Sequence, residues 1–380
     1  MPRDPRQDRP VLRTFARSDW GLFIGALGVS LVGALLVWSA TAHDHGTAYL
    51  VRHLLNTAIG VGLALGVTRL SHRALRLLAP FAYAGSLLGL VAVLSPLGST
   101  VNGSRSWIHL PAGFSVQPSE FAKVALCLGL ALILAERWDR GSAPGNRDIA
   151  LAWLVALLPI GLVMRQPDLG SALVLGALAF GVIAVAGAPK RWLVGVVALV
   201  AVGIAVALTT PVLSPYQRDR ITAFAHPQAD PQGIGYQTHQ VRIAIGSGGL
   251  TGEGFRAGRQ TQGGFIPFQE TDFVFSVAGE ELGLVGAGGL ILLLGFLVVR
   301  VVIVAARAPD AFGRLLGAGV AVWLTFQVVE NVGMNLGLLP VTGLPLPFVS
   351  YGGSSMFACW LAVGLVNNTH IAAGASRHTP

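Results

Sequence analysis

The chain has 380 residues, of which 53% are hydrophobic and only 12% charged, whereas a soluble globular chain carries roughly 25% charged residues. Its mean hydropathy of +0.65 and repeated apolar runs of about 20 residues, each able to cross a hydrocarbon layer of about 30 Å as a helix, exclude a soluble protein; their continuity excludes a barrel of short alternating strands. The formal charge of +8 therefore bears on membrane orientation and not on a nucleic-acid partner.

In chain order the apolar runs predict ten helices, over 20–39, 50–68, 76–95, 118–136, 148–164, 168–187, 191–211, 273–300, 315–338 and 351–367. This is an all-α polytopic membrane protein: a membrane domain over 20–367 between tails at 1–19 and 368–380. The first tail, with Arg3, Arg6, Arg9, Arg13 and Arg17, reads as a cytoplasmic segment before a retained span, since no small-residue cleavage site follows. The arginines of the 69–76, 137–147 and 300–314 connections and the Lys190-Arg191 turn fall on the same side. The Lys/Arg bias makes that side the cytoplasm, and an even number of spans leaves both termini there. Cys127 and Cys359 both sit in apolar runs, so no disulfide framework is expected.

The opposite side receives the polar connections. The stretch from Pro96 to Pro118 is turn-rich, with Trp107 suited to the membrane interface. Gln117-Pro118-Ser119-Glu120-Phe121-Ala122-Lys123 opens the fourth span. Ser119 suits a cap and Glu120 the first turn, while Glu120 and Lys123 share a face. Helix-end pairing and a buried pair facing a cavity are both open readings. Asp168, after Pro167, suits the N-cap of the next span and also the lining of an outward-facing cavity.

Residues 212–272 form a connection too long for an ordinary helix-to-helix link. It carries Arg218, then an amphipathic stretch over 235–245 with Gln240 and Arg242, then a glycine-rich run from Gly246 to Gly254. That run suggests a flexible loop with amides near an anion, although without a Walker A ending a nucleotide site is not indicated. At the mouth of the eighth span Asp272 precedes Phe273, Val274 and Phe275. Burial there would raise its pKa and suit it to general-base chemistry; an N-cap role is the alternative. Glu281, two turns later, calls for a partner such as an Arg from another span.

The run from Asn331 to Ser355, with Asn331, Gly333, Gly337, Pro340, Gly343, Pro347, Ser350, Gly352, Gly353 and Ser354 in fixed spacing, resembles the long signature of the SEDS family (shape, elongation, division and sporulation). Arg105-Ser106-Trp107, the 117–123 and 166–170 segments, the glycine-rich run, and Thr271-Asp272-Phe273 through Gly283 resemble further family motifs in family order. Pro345 and Pro347 make the chain more similar to the RodA elongation branch than to the FtsW division branch.

The resemblance implies the SEDS fold, with ten helices and a large extracytoplasmic loop between the seventh and eighth, in a bacterial inner membrane. It implies a peptidoglycan glycosyltransferase that polymerises lipid II on the extracytoplasmic side, with Asp272 as the catalytic carboxylate. Arg105, Lys123, Arg218 and Arg242 are candidates for neutralising the substrate diphosphate; Glu120, Asp168 and Gln240 are further cavity candidates. A divalent cation such as Mg or Mn fits the same charge argument, although no ligand cluster identifies it. The implied partners are a single-span class B penicillin-binding protein and other elongation-complex proteins. A lipid II flippase or other transporter, and a non-catalytic scaffold for the penicillin-binding protein, compete with this reading because the fold alone does not separate them.

Overall fold

The computed structural model describes residues 17–101, 103–109, 115–139, 141–209, 224 and 233–376. Each long apolar run forms a helix, as an apolar solvent requires of an uninterrupted chain: α1 Trp20–His45, α2 Ala48–Thr68, α3 His72–Leu94, α4 Pro118–Asp139, α5 Asn146–Arg165, α6 Leu169–Val185 and α7 Lys190–Thr209. After a shorter helix α8, Ile234–Ser247, and a single turn α9, Arg259–Gln262, come α10 Val274–Ala306, α11 Ala311–Asn335 and α12 Gly353–Ser376. Among the described residues eight of these helices are long and apolar enough to cross a membrane; α6 is apolar but shorter. Helix α11 is central, packed on α4, α6, α10 and α12, while α2 lies against α12 and α1 against α10.

Several boundaries move for a physical reason. The predicted C-terminal tail from 368 is helical through Ser376, because Asn367 and Asn368 are not solvated ends. Asn367 Oδ1 accepts the Asp19 N–H (2.8 Å) and Asn368 Nδ2 donates to Leu70 O (2.6 Å), so polar residues continue the helix by satisfying the ends of α1 and α2. The turn-rich stretch after α3 is a three-stranded antiparallel sheet, β1 Gly98–Val101, β2 Ser104–His109 and β3 Ser115–Val116, with an irregularity between Ser99 and Thr100. Most of the long connection before α8 lies outside the described residues, Arg218 included.

Helix α10 is broken at Gly283, whose φ of 64° and ψ of −167° are non-helical. A break exposes amides and carbonyls that lipid cannot satisfy. The glycine-rich run supplies them: Leu284 and Val285 N–H donate to Gly249 O (2.9 Å) and Leu250 O (3.0 Å), while Glu253 and Gly254 N–H donate to Glu280 O (2.9 Å) and Glu281 O (3.1 Å). The expected flexible loop with amides near an anion is thus a backbone splint on α10. Gly252 has φ +81°, and a Cβ there would lie 2.1 Å from Glu281 O. Gly252→Ala is accordingly expected to cost roughly 2–4 kcal/mol, read as a lower thermal midpoint in detergent.

Glu281 also departs from expectation. Its side-chain partners are neutral: Ser39 Oγ (2.6 Å) and Gln262 Nε2 (3.2 Å) donate to its Oε1, and Arg256 reaches it through its backbone N–H and not its guanidinium. Glu280 accepts the N–H of Gln260 and of Thr261 at 2.6 and 2.9 Å, fixing the start of α9.

At the other end of α10, Arg300 donates to Asp19, the residue that caps α1. Beside it Asp310 caps α11 through the Gly313 N–H (2.9 Å) and takes His72 (2.9 Å) and Arg76 (2.6 Å). Burial opposes ionisation of Asp310, but the His72 hydrogen bond, the Gly313 N–H and the charges of His72 and Arg76 outweigh it and lower its pKa from 3.8 to about 2. The stability this carboxylate contributes is complete above its unfolded pKa and is lost as pH falls through about 2. The wild type is expected to lose thermal stability between about pH 4 and pH 2, and Asp310→Asn to lose less over that window.

Candidate active site

Far from that basic end, a cavity of about 210 Å³ is walled by four connections. The sheet contributes Val101, Ser104, Ser106 and Trp107; the α5–α6 link, Pro167 and Asp168; the segment before α10, Phe268, Thr271 and Asp272; the α11–α12 link, Thr342, Gly343, Pro345, Tyr351, Gly352 and Ser355. Gln117, at the start of α4, completes the lining. Trp107, which suits the lipid interface, also forms part of the cavity wall.

Asp168 does both things its sequence position allows. Its Oδ1 accepts the Ser171 N–H (3.0 Å), capping α6, and its Oδ2 accepts Ser171 Oγ (2.8 Å) and Gln117 Nε2 (3.2 Å) at the cavity wall. The β1–β2 hairpin is fastened beside it, because Gln166 O accepts from Arg105 N–H (3.2 Å) and Ser104 Oγ (2.7 Å).

Asp272 is positioned through its backbone. Phe268, at φ 58°, turns its carbonyl to receive the N–H groups of Thr271, Asp272 and Phe273 (3.1, 3.1 and 3.3 Å). The N-cap of α10 is Phe273 and not Asp272, so the capping alternative does not hold. Phe273 is buried with Val241, Ala244, Ile266, Met334 and Val341, which pins one side of the segment. Three successive carbonyls are then gripped by the signature run: Glu270 O by Tyr351 N–H (2.8 Å), Thr271 O by Ser350 Oγ (2.5 Å), and Asp272 O by Asn331 Nδ2 (2.9 Å) and Asn335 Nδ2 (3.2 Å). Ser350 Oγ in turn accepts Leu346 N–H, and Ser354 Oγ accepts Gln117 N–H. With its main chain held on the signature side, the half-buried Asp272 lines the cavity together with Asp168.

The other candidates lie elsewhere. Arg105 spends its guanidinium on Gly98 O (3.2 Å) and Ser95 O (2.8 Å), and exposed Arg242 reaches Gly337 O (3.2 Å). Gln240 is half-buried on α8. Glu120 and Lys123 are paired at 2.7 Å with 1% and 0% exposure; the buried-pair reading holds, but neither residue is in the cavity lining. The described lining carries no Arg or Lys. Within the signature Gly343 and Gly352 line the cavity, Gly333 and Gly353 pack against Leu339 and Asn56, and Gly337 and Gly343 take φ +69° and +76°. Pro340 and Pro347 lie within the link and have no backbone N–H to donate.

Among the described residues no group of three or more His, Cys, Asp and Glu side chains assembles. Among the described lining residues Asp272 and Asp168 are the carboxylates open to a divalent cation, a donor set that suits an ion held mainly by substrate phosphates and water. Local motifs pointed to Asp272, Asp168 and Asn331, whereas Asn335 as a holder of Asp272 was missed. Its spacing of four from Asn331 on α11 was the available signal.

A family described as Cell cycle protein, comprising FtsW, RodA and SpoVE, matches residues 19–374. The chain belongs to this SEDS family. Peptidoglycan glycosyltransferase MrdB of Escherichia coli K12 is 35% identical over 367 residues, covering 96% of this chain and 97% of that protein. A probable peptidoglycan glycosyltransferase FtsW of Trichlorobacter lovleyi is 37% identical over 365 residues, 93% of each. Among solved structures, the Thermus thermophilus rod shape determining protein RodA superposes with TM-score 0.70 at 35% identity, over 96% of this chain and 98% of that one. A chain from a peptidoglycan synthase complex that coordinates polymerization and crosslinking superposes with TM-score 0.79 at 37% identity, over 96% and 99%. Members of both branches of the SEDS family are thus similar to this chain to about the same degree.

Proposed function

We infer that this protein is a peptidoglycan glycosyltransferase that polymerises lipid II into β-1,4 glycan strands during cell elongation. The observation that carries the reading is the placement of Asp272 in the cavity by the family signature, in a chain similar to such enzymes over nearly its whole length. Ten helices cross the bacterial inner membrane, both termini are cytoplasmic, and the cavity faces outward. The arginine bias and the ion pairs at the opposite end support this orientation. An accessible tag at Gly141 and one at Asp230 are expected to label from opposite sides of the membrane; labelling from one side contradicts the arrangement.

The chemistry follows from the substrates. Asp272 accepts the proton of the acceptor 4-hydroxyl on N-acetylglucosamine as that oxygen attacks the anomeric carbon of the donor N-acetylmuramic acid. Undecaprenyl diphosphate leaves from the α face and the new bond is β. One carboxylate suffices because diphosphate is already a good leaving group, unlike the sugar oxygen that an inverting glycosidase must protonate. A cavity of about 210 Å³ is smaller than the roughly 300–1,000 Å³ of whole-ligand pockets. It houses the reacting groups while the lipid tails stay in the membrane.

Charge on the diphosphate needs cations that the described lining lacks; Arg218 in the outer connection is the protein's candidate. Asp272 and Asp168 are the residues that would hold a Mg or Mn ion, which would supply charge neutralisation to the leaving group. A single-span class B penicillin-binding protein is the proposed partner, a reading supported by the similar chain from a synthase complex.

The test is purified protein, with and without such a partner, given labelled lipid II and an inhibitor of penicillin-binding-protein glycosyltransferases. Glycan ladders on a gel are expected. No polymer in any condition, with lipid II crossing liposome membranes, would establish a flippase instead.

A further inference from the structure

We propose that Gln327 is a positioning residue that couples the buried Glu120–Lys123 pair to the cavity wall, so that the pair acts on the reaction through that wall and not by touching substrate. The inference rests on the glycosyltransferase reading of the same cavity.

Gln327 is fully buried on α11. Its Oε1 accepts Lys123 Nζ (3.0 Å) and Trp323 Nε1 (2.7 Å), and its Nε2 donates to Pro345 O (2.7 Å). Two donors on one oxygen fix which way the amide faces, and a charged donor polarises it, strengthening the bond that Nε2 makes on the far side. Pro345 lines the cavity. It sits in a Leu-Pro-Leu-Pro run whose prolines have no N–H to donate, so its carbonyl is a principal handle by which the wall is held.

The same helix face continues the arrangement. Residues 327, 331 and 335 recur every four positions and share one stripe. Asn331 donates to Leu344 O (2.8 Å) and to Asp272 O, and Asn335 donates to Asp272 O. One stripe of α11 therefore holds both the wall at Leu344 and Pro345 and the carboxylate-bearing segment opposite it. Lys123 connects to its inner end, with its ammonium 5.1 Å from the Trp323 ring centroid. Since neither Glu120 nor Lys123 is in the described lining, this amide gives the pair a direct hydrogen-bonded route to the cavity wall.

The test uses purified full-length protein in complex with its partner and compares Gln327→Leu, the neutral double variant Glu120→Gln/Lys123→Met, and the triple variant. Two readouts are taken: polymerisation kinetics with lipid II, and amide hydrogen exchange by mass spectrometry. Gln327→Leu is expected to lower kcat about 100-fold, the scale of a ~1 Å misplacement, with KM within about threefold. Exchange over 341–350 should rise while 311–322 is unchanged. The double variant should behave alike, and the triple should be no worse than Gln327→Leu by more than about threefold, because residues acting in series are not additive.

Losses that multiply in the triple variant overturn the proposal, as does a Gln327→Leu protein with unchanged exchange over 341–350. If the leucine variant does not yield folded protein, Gln327→Asn, which keeps the amide but shortens its reach, is read by the same criteria. The exchange readout does not depend on turnover. A wild type that makes no polymer while the variants still loosen 341–350 together defeats the glycosyltransferase reading and supports the coupling.

Discussion

Asp272→Asn is expected to lower glycan polymerisation by about 10²- to 10⁴-fold, the contribution of a positioned general base, and Asp272→Ala by at least as much. The asparagine keeps the shape of the side chain and removes its negative charge and with it the ability to take a proton. The segment is held through the main-chain oxygens of Glu270, Thr271 and Asp272, none of which the substitution touches. Folding, partner assembly and lipid II affinity should therefore stay near wild type, and the loss should appear in kcat. Polymer formed by Asp272→Asn at the wild-type rate would remove Asp272 from the role of base.

The second large effect is on stability. Lys123→Met alone leaves the Glu120 carboxylate, 1% exposed, without its cation, and Glu120→Gln alone leaves the Lys123 ammonium with neutral acceptors. Breaking a buried pair from one side costs about 3–5 kcal/mol, whereas replacing both charges by neutral groups of similar size is often nearly neutral. Each single variant is expected to show a much lower thermal midpoint in detergent, and Glu120→Gln/Lys123→Met to recover most of it. The double variant then separates the two roles of the pair, since stability returns while the wall near Pro345 does not. Equal midpoints for the single variants and the wild type would show the pair to be solvated.

How far these residues were legible in the sequence depended on the range of the interaction. Long apolar runs revealed the helices because a membrane helix satisfies its own backbone, and Asp168 was readable as a cap because its partner Ser171 is three residues away. Asp272 and the signature were readable through a resemblance carried by contiguous motifs. What long-range pairing decides was hidden. The splint that Gly249 to Gly254 forms on the broken α10 joins segments some 30 residues apart, and glycine content alone cannot distinguish it from a mobile loop. The C-terminal helix outran its apolar stretch because Asn367 and Asn368 find partners on α1 and the α2–α3 turn. Arg105 suggested an anion ligand by type, but backbone carbonyls at the end of α3 and the start of β1 take its guanidinium. Gln327 carries no motif, and only the approach of α4 to α11 gives it a role.

The most direct test of the central claim is a single-turnover transfer between donor and acceptor lipid II, measured on the same preparations of wild type and Asp272→Asn whose lipid II affinity has been determined. The account predicts affinities within about threefold of each other, with transfer by the variant reduced about 10²-fold or more. Transfer at the wild-type rate by the variant would contradict it.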